Sequence, residues 1–238
     1  MIIAIPSKGR AGRTKTLSVL PNATLFVPAL EAESYRLTGA KNVIGVPDDV
    51  RGITKTRNWI LKNTDDPHIV MIDDDVKAQG WVKLNEEKSQ HKKLNESAWL
   101  SEFEKLFDIT YGMSFRIWGV ATQSAPRSVY PYRPLLWRSY ITASCMGIIN
   151  EGRTFFDESF PVKEDYELNL RCIKEDGGIV AARHIYWENS HWHDEGGCHD
   201  YRTQKLEADC IKKLEVMYPG MIKVTKRANS EFCIAITV

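Results

Sequence analysis

Residues 68–76 read HIVMIDDDV, an apolar strand pattern that runs into three aspartates. Working back toward the N-terminus, short β-branched runs alternate with helical patterns at Ile2 to Pro6, Arg13 to Leu20, Thr24 to Pro28, Glu31 to Leu37, Val43 to Pro47 and Thr54 to Asn63. Such alternation predicts βαβ units and therefore an α/β fold around a mostly parallel sheet. In open sheets of this kind ligands collect outside the carboxyl ends of the strands. The segments to watch are then Ser7-Lys8-Gly9-Arg10, Asp48-Asp49 and Asp73-Asp74-Asp75.

Toward the C-terminus the pattern is less regular. A helix is predicted from Asn95 to about Thr110, because Trp99, Phe103, Leu106 and Phe107 recur at helical spacing behind an Asn cap. A second is predicted from about Asp165 to Glu175, with Tyr166, Leu170 and Ile173 on one face and Gly177-Gly178 as its stop. A third spans Thr203 to Met217 and ends at Pro219-Gly220. Strand-like runs occur at Trp118 to Thr122 and Ile141 to Ile149, the tail from Ile222 to Val238 reads as two strands around a polar turn, and Glu86 to Lys93 reads as a mobile, solvated loop. No internal repeat is present.

With 238 residues, 43% of them apolar, and seven Trp, the chain can bury the core of one sizeable domain. The 32 basic and 31 acidic side chains leave a net charge of +1, so bulk charge gives no reason to expect nucleic acid, membrane or acidic partners. Any such reason must be local. The five cysteines are scattered and without CxxC spacing, which fits reduced thiols and a cytoplasmic setting. The opening MIIAIPSKGR is too short an apolar run for a signal peptide, and no stretch approaches the roughly 20 apolar residues needed to span a bilayer.

Residues 73 and 75 project to the same side of an extended chain, so Asp73 and Asp75 can converge on one Mg²⁺ or Mn²⁺ ion and its phosphates. An isolated DxD is equally a polar strand end whose acids face water or cap a helix. In FPVKEDYELNLRCIKEDGG, Glu164 and Asp165 stand at a helix start, where a carboxylate could take a proton from an acceptor hydroxyl. Acids are also favoured there by the helix dipole. His191 and His193 of HWHDEGG are two apart and form a second metal candidate, beside the plainer reading of a polar loop. The stretch PRSVYPYRPLLWRSY interleaves Arg127, Arg133 and Arg138 with Tyr130, Tyr132, Trp137 and Tyr140, a supply of phosphate contacts and of rings on which an exposed base can stack. It is also readable as a Pro-broken loop with aromatic anchors in the core. Lys8, Arg10, Arg13 and Lys15 form a basic mouth that a nucleotide diphosphate would suit.

In order and spacing these motifs resemble the inverting GT-A glycosyltransferases. An I-P-[ST]-x-x-R entry (Ile5 to Arg10) is followed by a T-x-x-R-N helix (Thr54, Arg57, Asn58), the DxD, and an E-D-x-E-x-x-x-R helix (Glu164 to Arg171), together covering about residues 1 to 195. The resemblance implies a Rossmann-like three-layer GT-A sandwich, with residues 1–78 as the nucleotide-sugar half and 79–238 as the acceptor and catalytic half. It implies that Pro6, Ser7, Lys8, Arg10, Arg57, Asp73 and Asp74 border a UDP-sugar donor and that Asp75, with Asp73, binds the divalent cation. His193 or His191 would complete the metal shell, Asp165 would be the base, and Glu164 its fallback. More narrowly, IPSKGRAGR, VRGITKTRNWIL and MIDDDVKA are similar to the phage glycosyltransferases associated with TET/JBP-type oxygenases, a family proposed to put sugars on hydroxymethylated pyrimidines in DNA. That resemblance implies glucose from UDP-glucose as donor, 5-hydroxymethylcytosine in DNA as acceptor, and the host-cell cytoplasm as the setting.

Three other readings compete. The acceptor could be a glycan, lipid or protein hydroxyl, which net neutrality favours. The chain could be a non-catalytic sugar-nucleotide or nucleic-acid binding module, against which the intact Asp73, Asp75, Glu164 and Asp165 argue. Phosphoryl transfer by the triple aspartate would leave the paired carboxylates and the T-x-x-R-N helix without a role.

Overall fold

The computed structural model describes residues 1–84, 89–124, 133–190, 202–226 and 232–237. In chain order the elements are β1 (Ile2–Pro6), β2 (Thr24–Pro28), α1 (Ala32–Leu37), β3 (Asn42–Val46), α2 (Ile53–Lys62), β4 (His68–Ile72), β5 (Val76–Leu84), β6 (Ser89–Lys92), α3 (Glu96–Gly112), β7 (Ile117–Ala121), β8 (Leu135–Leu136), β9 (Cys145–Ile149), α4 (Glu164–Asp176), β10 (Val180–Asn189), α5 (Gln204–Met217), β11 (Ile222–Lys226) and β12 (Phe232–Ile236). The main sheet has the order β3-β2-β1-β4-β9-β7-β10-β5-β6, with β8 pairing β10, while β11 and β12 form a separate hairpin. Strands β3, β2, β1 and β4 are a parallel block, β10 is parallel to β7, and β9, β8 and β5 run against the rest.

Helices cover both faces of this sheet. Ile3, Ile5, Val70 and Ile72 join Tyr35 of α1 and Trp99, Phe103 and Phe107 of α3 in one core. Their neighbours in the same strands, Ala4, Ile69 and Met71, join Ile60 and Leu61 of α2 and Leu168 and Cys172 of α4 in the other. A strand buried on both faces has no polar alternation, which is why β1 and β4 read as unbroken apolar runs. Local signals set the helix ends. Asn95 Oδ1 accepts from Ala98 N (2.9 Å) to cap α3, Thr203 Oγ1 accepts from Leu206 N (3.1 Å) to cap α5, and Gly177 closes α4 at φ 83°.

Some expectations change. The helix predicted over Arg13 to Leu20 shrinks to a single 3₁₀ turn at Lys15–Ser18, because Thr16 spends its amide on Asp74 O (3.2 Å) and its hydroxyl on Asp73 O (2.7 Å). Part of the expected solvated loop is strand β6, an edge strand that needs no apolar face since one of its sides meets solvent. Helix α4 begins at Glu164, one residue early, after Lys163 in the left-handed region at φ 63°. Strands β5 and β10, absent from the sequence reading, complete the sheet. Among the described residues no helix is long and apolar enough to cross a membrane.

The antiparallel junction between β7 and β9 depends on a missing side chain. Gly147 of β9 lies opposite Trp118 of β7, and a Cβ there would fall 2.0 Å from the indole Cε2. That indole is fully buried and packs at 5.3 Å against both Phe103 and Phe107. It has nowhere to retreat. Gly147→Ala is therefore expected to destabilise the fold by about 2–3 kcal/mol, the upper range for overpacking. A urea melt that stays within about 0.5 kcal/mol of the parent would contradict this packing.

Candidate active site

Strands β1 and β4 lie side by side in parallel, but the chain leaves β1 toward β2 while β4 sits on the other flank. Their carboxyl ends thus form the switch point at which open α/β sheets bind ligands. The loops leaving the two strands meet there. Ser7 Oγ donates to Asp74 Oδ2 and shares a 2.9 Å hydrogen bond with Tyr35 OH, and Arg10 pairs with Asp74. The Arg10 amide also donates to Tyr35 OH (3.0 Å). Asp74 is buried among these bonds, fastening the loop after β1 to the end of β4. The chain bends at Asp74, between the end of β4 and the start of β5, and the Asp74 carboxylate turns toward Ser7 and Arg10. Arg10 Nη1 also lies 3.8 Å from Asp75 Oδ2, and Asp75 helps line a cleft of about 320 Å³ with Arg10, Gly12, Arg13, Thr14 and Lys15. Of the other two residues expected at the donor, Lys8 is exposed and Pro6 is buried.

Helix α2 supplies the second layer of the site, and its T-x-x-R-N motif divides into two tasks. Thr54 Oγ1 donates to Phe160 O (2.8 Å), while Asn58 grips Phe156 through both its amide and its carbonyl (2.8 and 2.9 Å). These bonds tie α2 to the segment leading into α4. Arg57 points between them into the site, where its guanidinium pairs with Glu164 and with Asp73 Oδ1 (3.3 Å). It is thus already spanned between two carboxylates. The other Asp73 oxygen accepts from Asn189 Nδ2 (3.1 Å), at the end of β10. Burial pushes the Asp73 carboxyl up to about 7, with Arg57 opposing and Asp75, Asp74 and Glu164 adding to the rise. Burial raises Glu164 as well, against the pull of Arg57.

Asp165, the next residue of α4, is arranged differently. It is half-buried, its Oδ2 accepts from Tyr140 OH, and its Oδ1 accepts from Tyr166 N (2.9 Å). The helical period separates Glu164 and Asp165 by about 100°. Glu164 therefore closes onto Arg57 and Asp165 stands toward the stretch between β8 and β9.

The expected acceptor residues do not stay together. Trp137 packs against Phe115 (6.1 Å) and Arg138 Nε donates to Gly177 O (3.1 Å), which places both at the C-terminal end of α4, away from Asp165. Arg133 is exposed. Arg127, Tyr130 and Tyr132, and the metal candidates His191 and His193, lie outside the described residues. Among the described residues no three His, Cys, Asp or Glu side chains are grouped to hold a metal. Asp73 and Asp75 do offer the hard oxygen donors that Mg²⁺ or Mn²⁺ takes, and a cation there would offset both the burial that mainly raises Asp73 and the smaller push of the neighbouring carboxylates. Tyr35 and Asn189 were missed as site residues by sequence reasoning. Tyr140 was read there as a stacking ring, and the structure shows its hydroxyl on Asp165.

A family model described as TET-associated glycosyltransferase matches residues 1–197. No curated protein sequence matches the chain. Among solved structures, the glucosyl-3-phosphoglycerate synthase of Mycobacterium tuberculosis, in complex with Mn²⁺ and UDP-glucose, is 11% identical with a TM-score of 0.54, over 98% of this chain and 86% of that one. Residues 1–349 of Staphylococcus aureus TarS, in complex with UDP-GlcNAc, are 11% identical with a TM-score of 0.53, over 91% of this chain and 66% of that one. In two further structures of that TarS fragment the match spans 59% of the fragment's length. At such identity the likeness is one of fold, and it is the GT-A glycosyltransferase fold.

Removing the Arg57 charge should leave the buried Glu164 beside the half-buried Asp73 with nothing between them. Arg57→Met is expected to cost about 3 kcal/mol at pH 8, as for other broken buried pairs. A carboxyl whose pKa is raised by folding adds stability at low pH and loses it as pH rises through the folded value. The variant raises Asp73 and Glu164 further, so its deficit should shrink by pH 5, where both take protons. Equal deficits in urea melts at pH 5 and pH 8 would show that the guanidinium is not countering these carboxylates.

Proposed function

The chain belongs to the TET-associated glycosyltransferases, and from that premise we propose that it is a metal-dependent inverting enzyme that moves glucose from UDP-glucose onto the hydroxymethyl group of 5-hydroxymethylcytosine in phage DNA, in the host-cell cytoplasm. The observation that carries this reading is Arg57, whose one guanidinium joins Asp73 at the end of β4 to Glu164 at the start of α4. It joins a carboxylate-rich strand end, whose Asp75 lines the basic cleft, to the helix that carries the acid pair.

In this reading residues 1–78 hold the donor. Arg10, Arg13 and Lys15 face the diphosphate, Lys8 borders it, and Pro6, Ser7 and Asp74 shape the loop on which Arg10 is carried. Asp73 and Asp75, with His193 or His191, would hold a Mn²⁺ or Mg²⁺ ion, which when bound neutralises charge on the departing diphosphate. The synthase of the same fold that was solved with Mn²⁺ and UDP-glucose supports the choice of donor and cation. Residues 79–238 then supply the acceptor side. Arg127, Tyr130, Tyr132 and Arg133 are the proposed DNA contacts, and Trp137 and Arg138, at the far end of α4, meet more distant parts of the strand.

The chemistry falls to Asp165. As the acceptor oxygen bonds to the anomeric carbon, its proton passes to this carboxylate and the bond from the anomeric carbon to the diphosphate breaks, releasing UDP. Glu164 is committed to Arg57 and keeps that side of the site in register.

The decisive experiment incubates the protein with Mn²⁺, a panel of UDP-sugars, and DNA containing cytosine or 5-hydroxymethylcytosine, followed by nucleoside mass spectrometry. Glucosylated hydroxymethylcytosine is the expected product. Modification of glycan, lipid or protein hydroxyls offered in parallel, with DNA untouched, would move the acceptor to that class. Asp165→Asn should lower single-turnover transfer by roughly a hundredfold with donor binding retained, and excess chelator or Asp75→Ala should abolish turnover. Near-normal transfer in chelator would remove the metal from the mechanism.

A further inference from the structure

The stretch between β8 and β9 runs along α4 and is held there by paired bonds. Ile141 N donates to Asn169 Oδ1 and Asn169 Nδ2 donates back to Ile141 O, both at 2.9 Å. Arg183 Nη2 donates to Tyr140 O (3.0 Å) and to Ser139 Oγ (2.6 Å). With its backbone fixed on both sides, Tyr140 has little freedom. Its ring lies face to face with that of Tyr166, at 4.0 Å between centroids and 12° between planes. Lys163 Nζ stands 5.6 Å from the Tyr166 ring, adding a cation to the stack. All of this converges on one hydroxyl, which donates to Asp165 Oδ2.

Several features show what that hydroxyl can do. Burial, and then the negative charge of Asp165, hold the Tyr140 phenol well above its usual range, so it stays protonated and remains a donor. Asp165 Oδ1 is already occupied by Tyr166 N (2.9 Å), so the two donors together fix the carboxylate plane. Each oxygen of an ionised carboxylate has two acceptor sites, which leaves one on each for an acceptor proton. The alternative, that the Tyr140 ring is a platform for a flipped base, has Tyr166 already covering one face.

We propose that Tyr140 is a positioning residue for the sugar transfer: its hydroxyl holds the Asp165 carboxylate in the orientation from which it takes the acceptor's proton. This rests on the reading of Asp165 as the base. A side chain at a helix start has free rotamers unless something fixes it, and a general base loses rate steeply when misaligned.

Tyr140→Phe removes the hydroxyl and keeps the ring stack, and UDP release from UDP-glucose in Mn²⁺, with and without hydroxymethylcytosine DNA, reports turnover whichever hydroxyl accepts. The expected result is a fall in kcat of about tenfold with the donor KM unchanged, in line with a hydrogen bond to a charged group. The Tyr140→Phe change placed in an Asp165→Asn background should then cause no further loss, because a residue that acts through Asp165 has nothing left to position. A kcat equal to the parent's would overturn the proposal, and so would losses that multiply in the double variant, since Tyr140 would then act on something else. If Asp165→Asn alone keeps full turnover, the base assignment itself falls and the positioning role falls with it. Circular dichroism melts on each variant separate these outcomes from misfolding, and Tyr140→Leu, which loses stack and hydroxyl together, should show a lowered melting temperature as Tyr140→Phe does not.

Discussion

One buried guanidinium sets the geometry on which the site depends. Glu164 and Asp73 belong to elements from opposite halves of the chain, and without Arg57 between them their charges would repel in a medium that screens poorly. Arg57 can hold both only because its helix is itself fixed, by Thr54 on Phe160 O and by Asn58 around Phe156. A buried ion pair often adds little net stability, because desolvation offsets the attraction. What it does visibly here is tie the end of β4 to the start of α4 through one side chain.

The three consecutive aspartates, at the bend between β4 and β5, are divided by their partners. Asp74 turns inward, and its two oxygens are taken by Ser7 and Arg10. Asp73 meets Arg57 and Asn189, and Asp75 lines the cleft with Arg10. A strand end that carried only the outer two acids would lack the anchor that brings the loop after β1, and with it Arg10, against the site. The middle residue of the motif is therefore structural in support of its neighbours, and its burial at 4% exposure distinguishes it from them.

What the sequence made legible was whatever depends on local periodicity. The apolar runs of β1, β2 and β4, the helical spacing of Trp99, Phe103 and Phe107, and the Asn95 and Thr203 caps all lie within one element and stand where their local pattern predicts. The missed strands, β5 and β10, have different reasons for being missed. Strand β5 mixes Lys77, Gln79 and Gly80 with apolar residues near the edge of the sheet, where burial is one-sided and interrupted. Strand β10 changes partners along its length, pairing β7 and β8 at its start and β5 beyond, so no single alternation describes it. The acids of the site were legible as acids, but Arg57 between Glu164 and Asp73, and Tyr140 on Asp165, are contacts across many residues of chain. Nothing in the local pattern of either partner encodes them.

The start of α4 shows why the C-terminal elements matter to a site they do not enter. Lys163 occupies the left-handed region at φ 63°, a conformation that costs a non-glycine residue of order 1 kcal/mol or more, and no side chain caps the helix there. Such strain persists only where surrounding contacts over-determine it. Those contacts come from α5 and the β11–β12 hairpin, which lie beyond the residues that match the family. Phe160, Val162 and Leu170 are buried with Cys210, Ile211, Leu214 and Ile234, Lys163 Nζ lies 3.7 Å from Glu207, and Tyr218 OH donates to Glu167 Oε1 at 2.8 Å. The acid pair therefore stands on a helix start that is braced from outside, by Arg57 on one side and by α5 on the other. An α4 released from α5 would be free to relax Lys163 to ordinary helical dihedrals, which would add a residue to the helix and redirect the chain from Phe160 that enters it, the segment to which Thr54 of α2 is bonded.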